Sequence, residues 1–233
     1  MPKARADFIT NQVFIGLPWK NVKSKYEAAV DHLRKKYPLS FIIIGREDSQ
    51  DAEDLLAVIK GRIQSSSYAI FDATDGNANV SLEYGYAEAM DVPRALYRSS
   101  RKHTEDRRLD KPIISDLAGK RRNEYKTQNA LVALLSRFCE EHAYSKRFER
   151  FLATASPRAS RFQKKSNRAL ALKIIHSIDG TAEVRREDVV QELLAEQSAY
   201  ERDVVDSMIR KLHKAKLILS MQGPHSTLSI RNG

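Results

Sequence analysis

Residues 68–87, which read YAIFDATDGNANVSLEYGYA, contain a short apolar run, an acidic loop and the start of a helix, in that order. The run Tyr68–Phe71 has no polar alternation, which is typical of a strand buried on both faces of a parallel sheet. Asn79 is a favourable N-cap residue and predicts a helix that ends near Met90. A buried strand, a polar loop and a helix form the repeating unit of an α/β fold.

The same alternation of strand and helix continues on both sides of this stretch. We expect further strands at Val13–Ile15, Phe41–Ile44, Arg94–Tyr97 and Ile113–Ile114. The other helices are predicted at 21–37, 51–65 and 124–142, and Pro38 ends the first of them. The pattern predicts an α/β domain over residues 1–142 with a flavodoxin-like (Rossmann-like) five-stranded parallel sheet.

The rest of the chain has a different pattern. Residues 143–166 hold many cations and only weak apolar periodicity, so we expect a basic linker there, which could be partly helical. Residues 167–233 predict a helix, a short strand, two helices and a hairpin, an order that resembles a winged helix-turn-helix domain. Its third helix, 200–214, is in the recognition position and predicts DNA contacts through Arg202, Arg210, Lys211 and Lys214. A protein-interaction module is the alternative, because the same helix also carries acidic residues.

The formal net charge of +10 is concentrated in the middle of the chain. Residues 91–165 carry 19 basic and 9 acidic side chains, so this segment accounts for the whole excess. Such a segment suits contact with phosphates or an acidic partner, and it equally suits a solvated surface. Charge alone does not separate these interpretations.

Cysteine usage and hydropathy exclude several classes of protein. The single cysteine, Cys139, cannot form an internal disulfide, and no CxxC motif or histidine spacing predicts a metal site. The sequence contains no run of about 18 apolar residues and no signal-type apolar segment. We therefore expect a cytoplasmic protein.

The loop after the third predicted strand is the best candidate for chemistry. Ligands bind beyond the carboxyl ends of parallel strands, and Asp72 and Asp75 follow such an end directly. With Asn79 as N-cap, Glu83 falls in about the first helical turn, where the helix dipole favours the ionised carboxylate. A carboxylate beside a sugar stabilises or attacks an oxocarbenium-like carbon. The alternatives are structural roles, in which Glu83 pairs with an arginine and the two aspartates cap the turn at Gly76.

The segment Asn79–Ala87 (NVSLEYGYA) resembles the Asn-x-x-x-Glu-(Leu/Tyr)-Gly-x-Ala motif of the nucleoside 2-deoxyribosyltransferase-like and TIR-like proteins, which also carry an aspartate after the third strand. Residues 112–119 (PIISDLAG) are similar to the family's fifth strand. The resemblance covers about residues 12–142. It implies cleavage or transfer at the N-glycosidic bond of a nucleoside, a nucleotide or NAD, with Glu83 in the place of the catalytic glutamate.

The resemblance also implies roles for other residues, and it implies no cofactor. Asp72 or Asp75 would orient sugar hydroxyls or handle a proton at the base. The base would stack on Trp19 or Tyr84, although Trp19 is as compatible with a packing role. The implied substrate contacts are Gly16, Leu17, Trp19, Asn79 and Tyr84. The loop Gly-Leu-Pro-Trp itself departs from the glycine- and serine-rich loop of the nucleotide-cleaving members.

Two further implications concern partners. Some members of this kind serve in bacterial antiphage defence, and members often assemble as homo-oligomers in which a neighbour completes the site.

A second hypothesis is a non-catalytic regulator whose α/β domain senses a nucleotide while the winged helix reads DNA. A third is a DNA-binding adaptor with an inactive α/β domain.

Overall fold

The computed structural model describes residues 8–20, 22–44, 52–100, 117, 119–155, 157–179, 183–196, 200–221 and 226–230. Contacts between residues divide the chain into two units, residues 1–34 with 41–138 and residues 35–40 with 139–232. None of the described helices is long and apolar enough to cross a bilayer.

The first part of the chain alternates strands and helices, as the sequence predicts. In chain order they are β1 (Ile9–Gly16), α1 (Lys23–Arg34), β2 (Ser40–Ile43), α2 (Ala52–Ser65), β3 (Ser66–Asp72), α3 (Ala78–Ala89), β4 (Arg94–Ser99), β5 (Arg122–Tyr125) and α4 (Gln128–Glu141). The strands form one sheet in the order β2-β1-β3-β4-β5, with parallel pairing from β1 to β5. This is the flavodoxin-like order, so the predicted fold class is confirmed.

The fifth strand is not the predicted one. Ile113–Ile114 lies outside the described residues, and the strand that pairs with β4 at the edge of the sheet is β5. The helix predicted from Glu124 accordingly begins only at Gln128. Because β5 is four residues long and buries only Tyr125, its sequence contains no apolar run that could indicate a strand.

Strand alternation divides the first unit into two cores, one on each face of the sheet. On one face, Phe14 and Phe71 pack with Val80 and Tyr84 of α3. On the other face, Tyr26 of α1 is fully buried. Successive side chains of a strand point to opposite faces, so Phe71 and its neighbour at position 72 belong to different cores.

After α4, the described part of the second unit contains four helices and a small sheet. In chain order they are α5 (Ala143–Ala155), α6 (Arg161–Ser177), β6 (Val184–Arg185), α7 (Arg186–Glu196), α8 (Arg202–Lys214), β7 (Ile218–Met221) and β8 (Thr227–Ile230). Strand β8 is central and pairs antiparallel with β6 and β7. From α6 onward the order of elements is the expected one, while the winged-helix assignment itself stays a prediction.

Residues 143–155, which the sequence analysis places in a linker, form helix α5. The helix buries Tyr144, Ser145, Phe148 and Phe151. The Tyr144 hydroxyl also donates a hydrogen bond of 2.9 Å to the backbone oxygen of Leu217, so the helix is tied to the second unit. Lysine and arginine residues lie between the apolar positions of this helix in the sequence, so composition alone suggests a linker.

Replacing Phe148 by alanine tests whether this segment is a packed helix. Phe148 is fully buried, so Phe148→Ala should lower the free energy of unfolding by about 3–5 kcal/mol. The control is Phe162→Ala, since Phe162 lies in the same predicted linker and is 81% exposed. The control should change stability by less than about 0.5 kcal/mol. Urea titration followed by circular dichroism measures both, and equally small effects would restore the linker interpretation.

Candidate active site

Strands β1 and β3 are parallel neighbours in the sheet. Strand β2 lies beyond β1 on one side, and β4 and β5 lie beyond β3 on the other. Gly16 at the end of β1 is the partner of Phe71 near the end of β3. From β1 the chain continues to β2, and from β3 it continues to β4. The loops that follow β1 and β3 therefore diverge, and such a crevice is where ligands bind in flavodoxin-like sheets.

A cavity of about 510 Å³ opens at this crevice, which is within the usual size of a small-molecule site. Six of its lining residues are among those that the sequence predicts: Gly16, Leu17, Trp19, Asp75, Asn79 and Glu83. Its apolar wall includes Phe14, Ile44, Leu55, Ile59 and Val80. Two predicted residues, Asp72 and Tyr84, are not among the described residues that line it.

Glu83 reaches the cavity from α3 and lies against the end of β1. A Cβ atom at position 16 would overlap Oε2 of Glu83 and would lie 2.7 Å from Cδ1 of Phe71. The absence of a side chain at Gly16 therefore leaves the space that the Glu83 carboxyl group occupies. The sequence predicts Gly16 only as a substrate contact, whereas its contact with Glu83 is a tertiary feature.

Burial controls the charge of Glu83. Its Oε2 atom is buried and forms no hydrogen bond with any described residue. Desolvation disfavours the charged form of an acid, and here it raises the pKa of Glu83 from 4.5 to about 7. The carboxyl group is therefore about half protonated near neutral pH. This is the reverse of the expectation that the helix dipole keeps it ionised.

The start of α3 explains why the dipole argument fails. The N-cap residue is Asn77 instead of the predicted Asn79, and its side chain accepts hydrogen bonds from the backbone nitrogens of Asn79 (2.9 Å) and Val80 (3.3 Å). Glu83 consequently lies in the second turn of the helix, where the dipole has little effect. Asn79 lies inside the first turn, and its exposed side chain lines the cavity.

Asp72 lies on the opposite face of the sheet from Glu83. It is fully buried, and Oδ2 accepts hydrogen bonds from the hydroxyl groups of Tyr26 (2.9 Å) and Tyr125 (2.7 Å). Oδ1 accepts from the backbone nitrogen of Thr74 at 2.9 Å and from the Thr74 hydroxyl. Burial, and then the proximity of Asp72, raise the pKa of both tyrosines, so their hydroxyls remain donors. The predicted catalytic role of Asp72 is not supported by this position, since it is held by four donors outside the cavity.

The turn after Asp72 brings Asp75 to the cavity. Residues Thr74–Gly76 form a single 3₁₀ turn, in which Asp75 has φ 61° and ψ 17°. This left-handed conformation is tolerated by aspartate better than by most residues. The turn is tied to the end of β4, because the Thr74 hydroxyl accepts a hydrogen bond of 2.8 Å from the backbone nitrogen of Ser99. Asp75 is thus the second acid that the structure places with Glu83.

The two aromatic candidates have different surroundings. Trp19 is half-buried and lines the cavity. Tyr84 is a core residue: its ring meets Phe71 edge-on at 5.6 Å, and the Arg94 guanidinium lies 4.9 Å from its centroid. The predicted stacking role of Tyr84 is therefore not supported, whereas that of Trp19 remains a prediction.

The cations predicted to bind nucleic acid lie on α8 in the second unit. Arg210, Lys211 and Lys214 are exposed. Arg202 forms a two-point ion pair with Glu187, in which Nη1 lies 3.0 Å from Oε1, and its Nε lies 3.9 Å from Asp206. Arg202 is thus already paired with acidic groups, which weakens the predicted DNA role at that position.

The sequence analysis missed some residues of the site. Asn77 and Lys20 line the cavity, and Lys20 is the only cationic residue among its described lining residues. Asn77 could have been found, because asparagine is a favourable N-cap residue, but Asn79 has the same property. Within the described ranges, no group of three or more His, Cys, Asp or Glu residues is placed to hold a metal ion.

Adding one methyl group at Gly16 tests the close packing at the site. Gly16→Ala should cost about 1–3 kcal/mol of folding free energy, because either Phe71 or Glu83 must move. The matched control is Gly85→Ala, since Gly85 is exposed in α3 and a Cβ there meets nothing within 4 Å. The control should gain up to about 1 kcal/mol from helix propensity. Thermal melts of the two variants should shift in opposite directions, and a neutral Gly16→Ala would contradict the packing.

The raised pKa of Glu83 predicts how stability depends on pH. Between pH 4.5 and about 7 the unfolded chain ionises Glu83 while the folded chain does not, so this residue costs stability as the pH rises. Glu83→Gln removes the ionisable group and should make the protein about 3 kcal/mol more stable than wild type at pH 8. The difference should shrink steadily toward pH 4.5 in urea titrations.

Glu88→Gln is the matched control on the same helix. Hydrogen bonds and ion pairs with Lys120 and Arg94 lower the pKa of Glu88, so its neutralisation should not stabilise the protein at pH 8. Equal effects of the two glutamine substitutions would contradict the assignment of the cost to burial of Glu83.

Comparison with known proteins gives a distant structural likeness. Among solved structures the chain is similar to a 2-desoxiribosyltransferase from Leishmania mexicana, with 15% sequence identity and a TM-score of 0.44, over 57% of this chain and 99% of that chain. No protein-family model matches the chain, and no curated protein matches it. At this identity and TM-score, the likeness carries no conclusion about activity, and the flavodoxin-like assignment stands on the strand order itself.

Proposed function

We propose that this protein cleaves or transfers the N-glycosidic bond of a nucleoside, a nucleotide or an NAD-type dinucleotide, and that Glu83 is its catalytic carboxylate. The observation that carries the proposal is the half-buried Glu83, whose buried Oε2 atom has no hydrogen-bond partner among the described residues, in a cavity at the switch point of a flavodoxin-like sheet. A buried, strongly perturbed acid in a cleft is a functional-site candidate, because burial of such a group costs stability. The resemblance of Asn79–Ala87 to the glycosyl-transferring proteins supplies the reaction class.

The chemistry needs Glu83 in its ionised form. When the bond between the sugar carbon and the base nitrogen breaks, positive charge develops on the sugar, and the departing base takes the bonding electrons and a proton. The Glu83 carboxylate stabilises that charge or bonds to the sugar carbon, and water or a second base then displaces it. A pKa near 7 leaves enough carboxylate at neutral pH for this role, while its poor solvation increases its attraction to the cationic sugar.

The other lining residues suit the parts of such a substrate. The half-buried ring of Trp19, with the apolar side chains of Ile44, Leu55 and Ile59, provides a wall for a flat base. Asp75, Asn77 and Asn79 offer oxygen and amide groups for sugar hydroxyls. In this assignment Asp75 takes the role of the second acid, and Asp72 positions the turn that carries Asp75.

A nucleotide-sensing regulator is the second candidate. The engagement of Asp72 with four donors favours it, because one of the two acids expected from the resemblance is then withdrawn from chemistry. In that case the cavity binds a nucleotide without breaking it. The roles in antiphage defence, in DNA contact and in a homo-oligomer remain proposals that accompany either candidate.

Release of free base from a panel of nucleosides, nucleotides and NAD tests the proposal. Chromatography should detect base from at least one substrate with wild type, and Glu83→Gln should lower kcat at least about a hundredfold, as expected on loss of a group that acts in the transition state. Because the ionised form acts, kcat/KM should rise about tenfold per pH unit below pH 7 and level off above it.

Glu88→Gln serves again as the control and should keep wild-type activity, since Glu88 is exposed and does not line the cavity. If no substrate releases base while wild type and Glu83→Gln both bind a nucleotide in calorimetry, the regulator is correct and the enzyme proposal is wrong. An activity that falls with rising pH through 7 would contradict the role of the carboxylate.

A further inference from the structure

Two cavities of the second unit lie on either side of one ion pair. Arg168 of α6 pairs with Glu149 of α5 in a two-point contact, with nitrogen to oxygen distances of 2.9 and 2.6 Å. The first cavity, about 670 Å³, and the second, about 460 Å³, both include Glu149 and Arg168 in their walls. The surface that they form is therefore continuous across the pair.

This surface is strongly cationic, and we call it the basic face. The first cavity contributes Lys35, Lys36, Lys146 and Arg150, and the second contributes Arg161, Lys164 and Lys165. The carboxylates in the two walls are Glu140 and Glu149, and both are engaged: Glu140 accepts a hydrogen bond of 2.9 Å from the Tyr37 hydroxyl, and Glu149 holds Arg168. No acidic residue occurs between Glu149 and Asp179 in the sequence.

Six cations of the basic face have no acidic partner among the described residues. In the part of the chain that the structure describes, Lys35, Lys146, Arg150, Arg161, Lys164 and Lys165 form no ion pair, and all six are exposed. Like charges that share a face repel each other and destabilise the fold. Such a cluster is complementary to a ligand that presents several negative charges in a row.

The middle of the face is rigid. Besides pairing with Glu149, Arg168 donates a hydrogen bond of 2.8 Å to the backbone oxygen of Lys36, and its guanidinium lies 5.7 Å from the ring centroid of Phe148. The unpaired cations therefore surround the Arg168 side chain, which several contacts hold in place. Arg168 itself is positioned as a support for the face.

An exposed aromatic ring adjoins the basic face in the sequence, although it lines neither cavity. Phe162 is 81% exposed in the first turn of α6, between Arg161 and the two lysines. The turn is held in place by a capping box, in which Ser160 Oγ accepts from the Gln163 backbone nitrogen at 3.3 Å and Gln163 Oε1 accepts from the Ser160 backbone nitrogen at 3.0 Å. A phenyl ring on a rigid helix end among cations is the arrangement on which unpaired bases stack.

A buried hydroxyl group in the first cavity points to a ligand as well. Ser145 lines that cavity and is 2% exposed, and its Oγ has no hydrogen-bond partner among the described residues. Buried hydroxyl groups normally have a partner, because leaving one unpaired costs folding free energy. A phosphate oxygen in the cavity is an acceptor that this hydroxyl can use.

We propose that the basic face binds single-stranded nucleic acid. The phosphates contact the six free cations on both sides of the Glu149–Arg168 pair, and a base stacks on Phe162. The single-stranded form is favoured because the ring of Phe162 can stack only on a base that is not covered by its neighbours in a duplex. The inference is independent of Glu83 and of the predicted recognition helix, where Arg202 is paired with Glu187.

Fluorescence anisotropy with a labelled 15-nucleotide single strand, as DNA and as RNA, tests the proposal on the full chain. Wild type should bind the single strand more tightly than a duplex of the same sequence. With six cations engaged, log K should fall with log salt with a slope of roughly −4. The double variant Lys164→Glu, Lys165→Glu should weaken binding at least about tenfold and flatten the slope. Phe162→Ala should weaken binding about fivefold or more and leave the slope unchanged, since it removes stacking but no charge.

The matched control changes the same charges on the predicted recognition helix. Arg210 and Lys211 are exposed on α8, so Arg210→Glu, Lys211→Glu should fold normally and should leave single-strand binding unchanged. Loss of binding in this control but not in Lys164→Glu, Lys165→Glu would overturn the proposal in favour of the recognition helix. Tighter binding of the duplex, equal binding of a poly-glutamate peptide, or no binding by wild type at 50 mM salt would overturn it too.

Discussion

The carboxyl group of Asp72 holds together the elements on which the candidate site depends. It accepts hydrogen bonds from Tyr26 in α1, from Tyr125 in β5 and from Thr74 in the turn beyond β3. A buried acid is tolerated when donors satisfy it, and here three separate elements provide them. The result is a fixed exit from β3, which sets where the 3₁₀ turn and helix α3 begin. The positions of Asp75, Asn77 and Asn79, which line the cavity, depend on where β3 ends.

Consecutive residues at the end of β3 serve different purposes because a strand alternates its faces. Phe71 points to the side where Gly16, Glu83 and Tyr84 pack, and Asp72 points to the side of the two tyrosines. Glu83 is left with an unsatisfied oxygen, in contrast to the fully satisfied Asp72. Asp72 at the end of β3 and Glu83 in α3 thus represent two outcomes of burial: Asp72 supports the fold, and Glu83 holds a perturbed charge at the cost of stability, as functional groups commonly do.

The net charge of the second unit does not show which of its cations are paired with acidic groups. On α8, Arg202 is neutralised by Glu187, whereas the cations of α5 and the first turns of α6 have no such partners among the described residues. Residues 143–155, the first part of the predicted linker, form a helix with a buried apolar side and an exposed side that carries cations. Its position beside α6 brings together cations that are distant in the sequence, from Lys35 to Lys165. Recognition of a negatively charged polymer depends on that spatial grouping rather than on the net charge.

The sequence alone was sufficient for the alternation of strands and helices, because strands such as Phe41–Ile43 and Tyr68–Phe71 are apolar throughout and the helices are periodic. It also nominated Glu83, Asp75, Gly16 and Trp19 as candidate residues, and all four line one cavity, since the loops after parallel strands meet at one edge of the sheet. It could not identify β5 from residues 122–125, because an edge strand needs only one buried side chain. Nor could it assign Asp72 to the far face, the N-cap to Asn77, or a pKa near 7 to Glu83. Those properties depend on which groups surround a side chain after folding, and only the tertiary structure decides how much water and how many donors each acid retains.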